Sequence, residues 1–436
     1  MLDSPHHPCC LEKAFSFPKC MSSLCFQKDQ SSDTSKYTFE IQTNSVALPT
    51  YFWTQLSKQK SKILDLQYLE ALSQSTLPLV LHNQSSISST LPSLYYITFY
   101  HHTEPVGIAA FSITYYHGAS VSELLESTRP KLKKWMHTFG VGINPIEGYV
   151  LTCGGASTSG GLGFAFTDQI SNQEASSSLM QAAHTLIDSL KKQIHISAIL
   201  FQHTDFFIPS QHARYTSFQT EPNLTLPLSP RWTHFDDYLN DLKSKYRIKA
   251  KRADTKSRDL AQIKLTPLLL KKHHQELRDL YTQTVNRSSF KLHCPEIDVL
   301  DLLVQSNPES IQVHGYFLST HLVGFRMSIL DQTQLYAHFV GFNPTLNPDH
   351  AIYSRMLNDY IRQAIDLGCS QVHFGRTASE IKSTLGAITQ PTQILLHHTH
   401  PLTNFCLPFL SKRYAPPSPH LHSPFKAQYH QHDMPQ

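Results

Sequence analysis

The sequence predicts an α/β protein built from two similar units, each a mixed twisted sheet flanked by helices. Three observations carry that prediction. Strand-like and helix-like segments alternate from Tyr37 to Gly375. The order strand pair, strand, helix, strand occurs twice. Each strand pair also contains Val-Gly after a polar turn, at Val106-Gly107 and at Val323-Gly324.

In chain order, "YTFEIQTN" reads as a strand. "TYFWTQLSKQKSKILDLQYLEALSQS" has helical apolar spacing at Phe52, Leu56, Leu64, Leu69 and Leu72, with a break inside it. "LYYITFYHHTEPVGIAAFSITYY" reads as two strands around a Glu104-Pro105 turn. A strand "EGYVLTCGG", a helix "ASSSLMQAAHTLIDSLKKQ" and a buried strand "HISAILFQH" complete the first unit. Near the start of the second unit lies a basic run, Lys243 to Arg258, read as a solvated connecting helix between the halves or an electrostatic contact to tRNA or a nucleotide-linked acceptor. The unit continues with "PLLLKKHHQELRDLYTQTV" as a helix and "IQVHGYFLSTHLVGFRMSIL" as a strand pair. Then come the strand "QLYAHFVGFN", the helix "HAIYSRMLNDYIRQAIDLG" and the strand "SQVHFG". The expected division is a disordered leader over 1–35, units over 36–235 and 236–400, and a flexible tail rich in His and Pro over 401–436.

Composition narrows the class. The chain has 436 residues, 40% hydrophobic and 11% aromatic, enough for a packed core. Its net charge of +4 is too small to imply nucleic acid by itself. Eight cysteines show no C-x-x-C spacing, and the start lacks a basic stretch followed by an apolar run. No run approaches the ~18 apolar residues of a membrane span. A cytoplasmic protein with reduced thiols and no membrane span is expected. Its histidines lack H-x-x-x-H spacing with a carboxylate, so no metal is expected.

The stretch "HFGRTASEIKSTLGA" (373–387) concentrates the candidate chemistry. Gly375 lets a strand end lie close to a ligand. Arg376 offers a two-pronged contact to a carboxylate or phosphate. Lys382 is one cation among apolar residues, where it stabilises developing negative charge better than in water. His338 could accept a proton at an ordinary pKa near 6.5. Tyr353 opens the helix that follows. Arg326 interrupts an apolar strand with a charge, and needs an anionic partner if it points inward.

The blocks "YLEAL", "EPVGIAAF", "VLTCGGASTSGGLGFAF", "FDDYLNDLKSKYRIKAKR", "YAHFVGFNP", "AIYSRMLNDYIRQAIDLG" and "HFGRTASEIKSTLGA" occur in this order over roughly 40–400. On these blocks the chain resembles the GNAT acyltransferases with a BioF2-like acetyltransferase domain, and their relatives the Fem-type peptidyltransferases. The resemblance implies tandem GNAT-like units and transfer of an acyl or acetyl group to an amine. The acceptor would be a small molecule or a cell-envelope precursor. It also implies that Lys382, four residues before Gly386, acts near the reacting carbonyl. The donor stays open. Acyl-CoA is one choice, but "GFNPTLNPDHAIYSRML" has one glycine, Gly341, where GNAT enzymes carry a glycine-rich pyrophosphate loop. Aminoacyl-tRNA is the other, with a peptidoglycan precursor as acceptor. A third reading is a GNAT-like pair that binds without catalysing. "TCGGASTSGGLGFAF", with Gly154, Gly155, Gly160, Gly161 and Gly163, reads as a tight loop or a close approach to a phosphate.

Overall fold

The computed structural model describes residues 36–75, 79–80, 90–92, 94–116, 148–154, 163–202, 214–285, 295–413 and 420–427. The expected leader (1–35) lies outside them, as do Gly155, Gly160 and Gly161. Among the described residues, no helix is long and apolar enough to cross a membrane.

The first half contains β1 (Tyr37–Gln42), α1 (Thr50–Lys60), α2 (Leu66–Ser75) and the short pair β2 (Leu79–Val80) and β3 (Thr90–Leu91). It continues through β4 (Leu94–His101), β5 (Glu104–Tyr116), β6 (Gly148–Cys153), β7 (Phe164–Phe166), α3 (Asn172–Leu190), β8 (Ile196–Gln202) and β9 (Thr216–Pro227). The second half opens with α4 (Phe235–Asp241), α5 (Ser244–Lys256), β10 (Leu260–Lys264), α6 (Pro267–Lys272), α7 (His274–Val285) and α8 (Leu300–Ser306). Then follow β11 (Ile311–Leu318), β12 (His321–Asp331), β13 (Gln334–Phe342), α9 (Asn347–His350), α10 (Ile352–Asp366), β14 (Gln371–Gly375), α11 (Ser379–Ser383), β15 (Ile388–His398) and α12 (Pro401–Arg413).

Thirteen strands form one mixed sheet, in the order β1-β4-β5-β6-β8-β15-β9-β14-β13-β12-β11-β10, with β7 on β5. The two hairpins repeat down to an irregularity. In the first, Phe99 faces Gly107 and Tyr100 faces Pro105, so Val106 is an extra residue. In the second, Tyr316 faces Gly324 and Phe317 faces Leu322, so Val323 is the extra residue. Both extra valines are buried. A bulge inserts one residue, bends the strand and increases its twist. Shared bulges at the two Val-Gly pairs give the repeat a structural basis. The first hairpin turns at His102-Thr103, two residues earlier than expected, and Pro105 lies in β5 beside the bulge. Proline is tolerated there because the ladder is already interrupted.

The sequence did not reveal how the units join. β9 follows β8 in the chain but hydrogen-bonds to β14 of the second unit. β15 follows β14 in the chain but lies between β8 and β9. The halves thus exchange their last strands, and the sheet runs across the expected boundary at 235/236. Their cores merge as well. Trp53, Leu56, Tyr68 and Leu69 of α1 and α2 share one cluster with Leu270, Leu277, Leu300 and Leu303 of α6 to α8.

The tail also departs from expectation. Residues 401–413 form α12, and residues 420–427 dock on α4, α5 and α11. Lys243 N–H donates to Pro424 O (2.8 Å), and Lys426 N–H donates to Asp241 O (3.0 Å). Phe425 is 4% exposed and packs on Trp232 and Tyr238. One aromatic anchor and three turns of helix overcome a composition rich in proline and histidine.

Gly386 makes room for that anchor. It has φ +99°, and a Cβ there would lie 2.1 Å from the Phe425 ring. Gly386→Ala is expected to cost on the order of 2–4 kcal/mol through strained φ and overpacking. Chemical denaturation measures this, and protease cleavage in 414–427 should accelerate.

Candidate functional site

The second unit opens where the first stays closed. β6 and β8 run parallel and remain paired from Tyr149↔Ile196 through Cys153↔Phe201. β13 and β14 are also parallel, but pair only at Gln334↔Gln371, Leu335↔Val372 and Tyr336↔His373. Beyond that point β13 continues to Phe342 without β14. Ser328 faces Ala337 and Arg326 faces Val340, so His338 and Phe339 together oppose the single residue Met327. This bulge sits at the first unpaired step of β13. At the same level β14 ends in Gly375, with φ +75°. The left-handed conformation favours glycine and turns the chain toward Arg376.

Lys382 lies on α11, whose helical start is set by Ala378 in a left-handed conformation. It is 4% exposed, and its Nζ donates to Phe374 O at 2.6 Å. Phe374 is the first β14 residue past the paired segment. Burial lowers the Lys382 pKa to about 7 from an ordinary 10.5. The sequence suggested a partly apolar setting; the structure removes this ammonium from water. Arg376 is half-buried just beyond the Gly375 turn.

His338 lies in the β13 bulge, its ring centroid 4.0 Å from that of Phe339. Its Nε2 is closed to solvent and has no hydrogen-bond partner among the described residues. Burial lowers its pKa to about 3. The ordinary imidazole pKa is near 6.5, so burial here favours the neutral ring. Tyr353 stacks on Phe342 at 5.4 Å, and burial raises its phenol pKa. Tyr353, Ala337, Val340 and Ile381 pack against the cluster that contains Phe374 and Leu385. The β13 bulge, the end of β14, the first turn of α10 and α11 therefore converge.

Arg326 does not join them. It is 2% exposed, beneath α10. Its Nε donates to the Tyr316 hydroxyl at 3.0 Å, and its guanidinium lies 4.8 Å from the Tyr360 ring centroid. Tyr316 donates to Asp359 Oδ2 at 2.8 Å, and Arg355 Nε contacts both Asp359 oxygens at 2.9 Å. Arg362 donates to Asp359 Oδ1 at 2.6 Å. The anion that Arg326 requires is thus internal, reached through a tyrosine.

Sequence reading missed a buried polar chain beside the opening. His373 contacts Thr225 Oγ1 through Nδ1 (3.1 Å) and Gln334 Oε1 through Nε2 (2.9 Å). Its ring stacks on Tyr336 at 4.4 Å. Thr225 then donates to Gln390 Oε1 at 3.1 Å. The alternation of Asn223, Thr225 and Pro227 with Leu224 and Leu226 was the available signal for β9. Of the described cysteines, Cys153 and Cys369 are buried, which raises the pKa of the first and takes that of the second to about 11, and Cys406 is exposed.

The segment before α10 fits a pyrophosphate poorly. Phe342 N–H is taken by Thr284 Oγ1 (3.2 Å). Those of Thr345 and Leu346 go to Asn343 Oδ1 (2.9 and 3.3 Å), and that of Tyr353 goes to Asn347 Oδ1 (2.9 Å). A cradle for phosphate needs such amides free. Threonine and asparagine side chains already occupy them.

Residues 243–383, in the second half of the chain, match the family described as acetyltransferase (GNAT) domain. No curated protein matches the sequence. Among solved structures, FemX is similar at 11% identity, over 69% of this chain and 87% of that one, with a TM-score of 0.42. L-PGS from Bacillus licheniformis is similar at 9% identity, over 74% and 90%, with a TM-score of 0.39. A GCN5-related N-acetyltransferase from Sphaerobacter thermophilus is similar at 9% identity, over 84% and 96%, with a TM-score of 0.38.

Two stability predictions follow from buried charge. Asp359→Ala leaves Arg355 and the Tyr316 hydroxyl without their carboxylate acceptor and Arg362 with Asp254 alone, and should cost about 3–5 kcal/mol. Urea melts measure it. Lys382 is protonated more in the unfolded chain than in the fold between pH 7 and 10.5. Its burial penalty is therefore full below about pH 7 and shrinks as pH rises. The stability of the natural chain relative to Lys382→Met should improve by about 2 kcal/mol from pH 7 to pH 9. A pH-independent difference would mean that the lysine is not buried.

Proposed function

We propose that the chain is an N-acyltransferase acting by direct transfer, with the chemistry in the opening between β13 and β14. The observation that carries this reading is Lys382: a buried amine held on the first β14 carbonyl past the point where the strands part. In such a transfer the acceptor amine attacks the acyl carbon, and the carbonyl oxygen gains negative charge. A preorganised donor in a water-poor site stabilises that charge. The Lys382 ammonium is that donor, and Arg376, at the same strand end, holds a carboxylate or phosphate of one substrate. Gly375 and Tyr353 shape the opening. His338 stays neutral and serves as a hydrogen-bonding wall, while the amine proton leaves with the departing group.

A second reading concerns the donor. The consumed amides between β13 and α10 weigh against coenzyme A held in the usual GNAT manner. Helix α5 carries exposed Lys245, Lys251, Arg252 and Lys256 beside the same unit. Both features favour aminoacyl-tRNA as donor and a peptidoglycan-precursor amine as acceptor, a Fem-type transfer. A small-molecule amine with acyl-CoA is the competing pair.

Thermal shift with acetyl-CoA, coenzyme A and charged tRNA separates these donors. A true donor stabilises by about 2.7 kcal/mol at a hundredfold excess over its Kd, and a tRNA complex weakens steeply with salt. With the donor found, Lys382→Met should lower turnover by about 10²–10³ while circular dichroism is retained. Turnover of the natural chain should fall as pH rises through about 7, where the ammonium is lost, and the residual rate of the variant should not. Turnover within a few fold of normal in that variant would remove Lys382 from the mechanism. Failure of every donor would favour a binding module.

A further inference from the structure

We propose that Glu380, His420 and His422 form a binding site for a divalent transition metal such as Zn²⁺, which clamps the tail onto the lysine-bearing helix α11. The three side chains can each offer one ligand atom, and these atoms all lie within 4.8 Å of one another. His422 Nε2 is 3.7 Å from Glu380 Oε1. The imidazoles of His420 and His422 have centroids 4.9 Å apart and meet edge to face. Tetrahedral Zn²⁺ with ligands at about 2.0–2.2 Å separates its donors by roughly 3.4 Å. Small side-chain rotations bridge that difference, and two of the three side chains are exposed and free to rotate.

The backbone beneath these ligands is already fixed. His422 N–H donates to Ser383 Oγ at 3.1 Å, tying the segment to the end of α11. The His422 ring packs on Tyr246 at 5.9 Å. Lys243 Nζ donates to Ser423 O at 2.8 Å, and Phe425 is buried three residues further on. Two imidazoles and one carboxylate are a donor set suited to Zn²⁺, Ni²⁺ or Cu²⁺ and unsuited to Mg²⁺ or Ca²⁺. Three protein ligands leave a fourth position for water. The sequence hid the site because His420-Leu421-His422 supplies only two ligands, and the third lies about forty residues earlier.

Lys382 is two residues from Glu380, on the buried side of the same short helix. A metal held by Glu380 therefore stiffens the helix that carries Lys382. That consequence rests on the proposed acyl transfer, whereas metal binding itself does not.

The test uses the full chain stripped with chelator and then titrated with Zn²⁺ by calorimetry, and with Co²⁺ by visible absorption. One site per chain with tetrahedral Co²⁺ bands is expected. Glu380→Gln and the double variant His420→Ala/His422→Ala should each weaken Zn²⁺ binding at least tenfold. Zn²⁺ should slow amide exchange over 420–427 in the natural chain and not in the variants, with circular dichroism confirming the fold. Zn²⁺ bound equally by all three proteins would place the ion on others of the 27 histidines and overturn the proposal. So would the absence of binding to the natural chain.

Discussion

The exchange of β9 and β15 is the constraint on which the rest depends. A strand that leaves its neighbour normally exposes a row of unpaired amides and carbonyls. β14 leaves β13 after three residue pairs, yet its other edge stays bonded to β9 through Gln371↔Pro227, Val372↔Leu226 and His373↔Thr225. β9 is held in turn by β15, and β15 by β8. The opening is therefore supported from the first unit. Lys382 completes the support by donating to the Phe374 carbonyl just past the parting. One group thus serves a backbone need and, in the proposed chemistry, a catalytic one.

Much of this architecture was legible in the sequence because local rules agree with the global fold. Val106-Gly107 and Val323-Gly324 marked equivalent hairpins, and the structure adds that each valine is a bulge residue. The helices were legible from apolar spacing, as at Leu56, Leu64 and Leu69. β9 and β15 were not legible, for a physical reason. Glu221-Pro222 and Gln390-Pro391 interrupt their alternation, and each proline falls at a register shift or past the end of pairing with β14. Their stability comes from neighbours distant in sequence, which no local window contains. The same holds for the tail, where Phe425 finds its pocket beside Gly386 and Trp232.

Of the site, the sequence located the strand end and its cations, but not their environments. Lys382 and Arg326 both read as single charges among apolar residues, and both are almost fully buried. Their fates differ in what surrounds them. Arg326 reaches a tyrosine and a glutamine, with Asp359 behind, so its charge is distributed over a network. Lys382 has a carbonyl, and desolvation alone carries its pKa down to about 7. A buried arginine in a satisfied network is architecture. A buried lysine balanced between protonation states is a group whose charge a substrate can change.

That difference bears on how the opening responds when occupied. In the proposed chemistry, a substrate carboxylate or phosphate on Arg376 would bring negative charge to the strand end that carries Phe374 and Lys382. Opposite charge within a few ångströms favours the ammonium, and water excluded by the substrate strengthens the attraction. The resting site keeps the amine near neutrality, where burying it costs least. The occupied site shifts it toward the cation, the form that can donate to a developing oxyanion. On that proposal, Lys382 gains its charge as substrate arrives. The imidazole of His338, held neutral in the bulge, adds no positive charge to oppose that step.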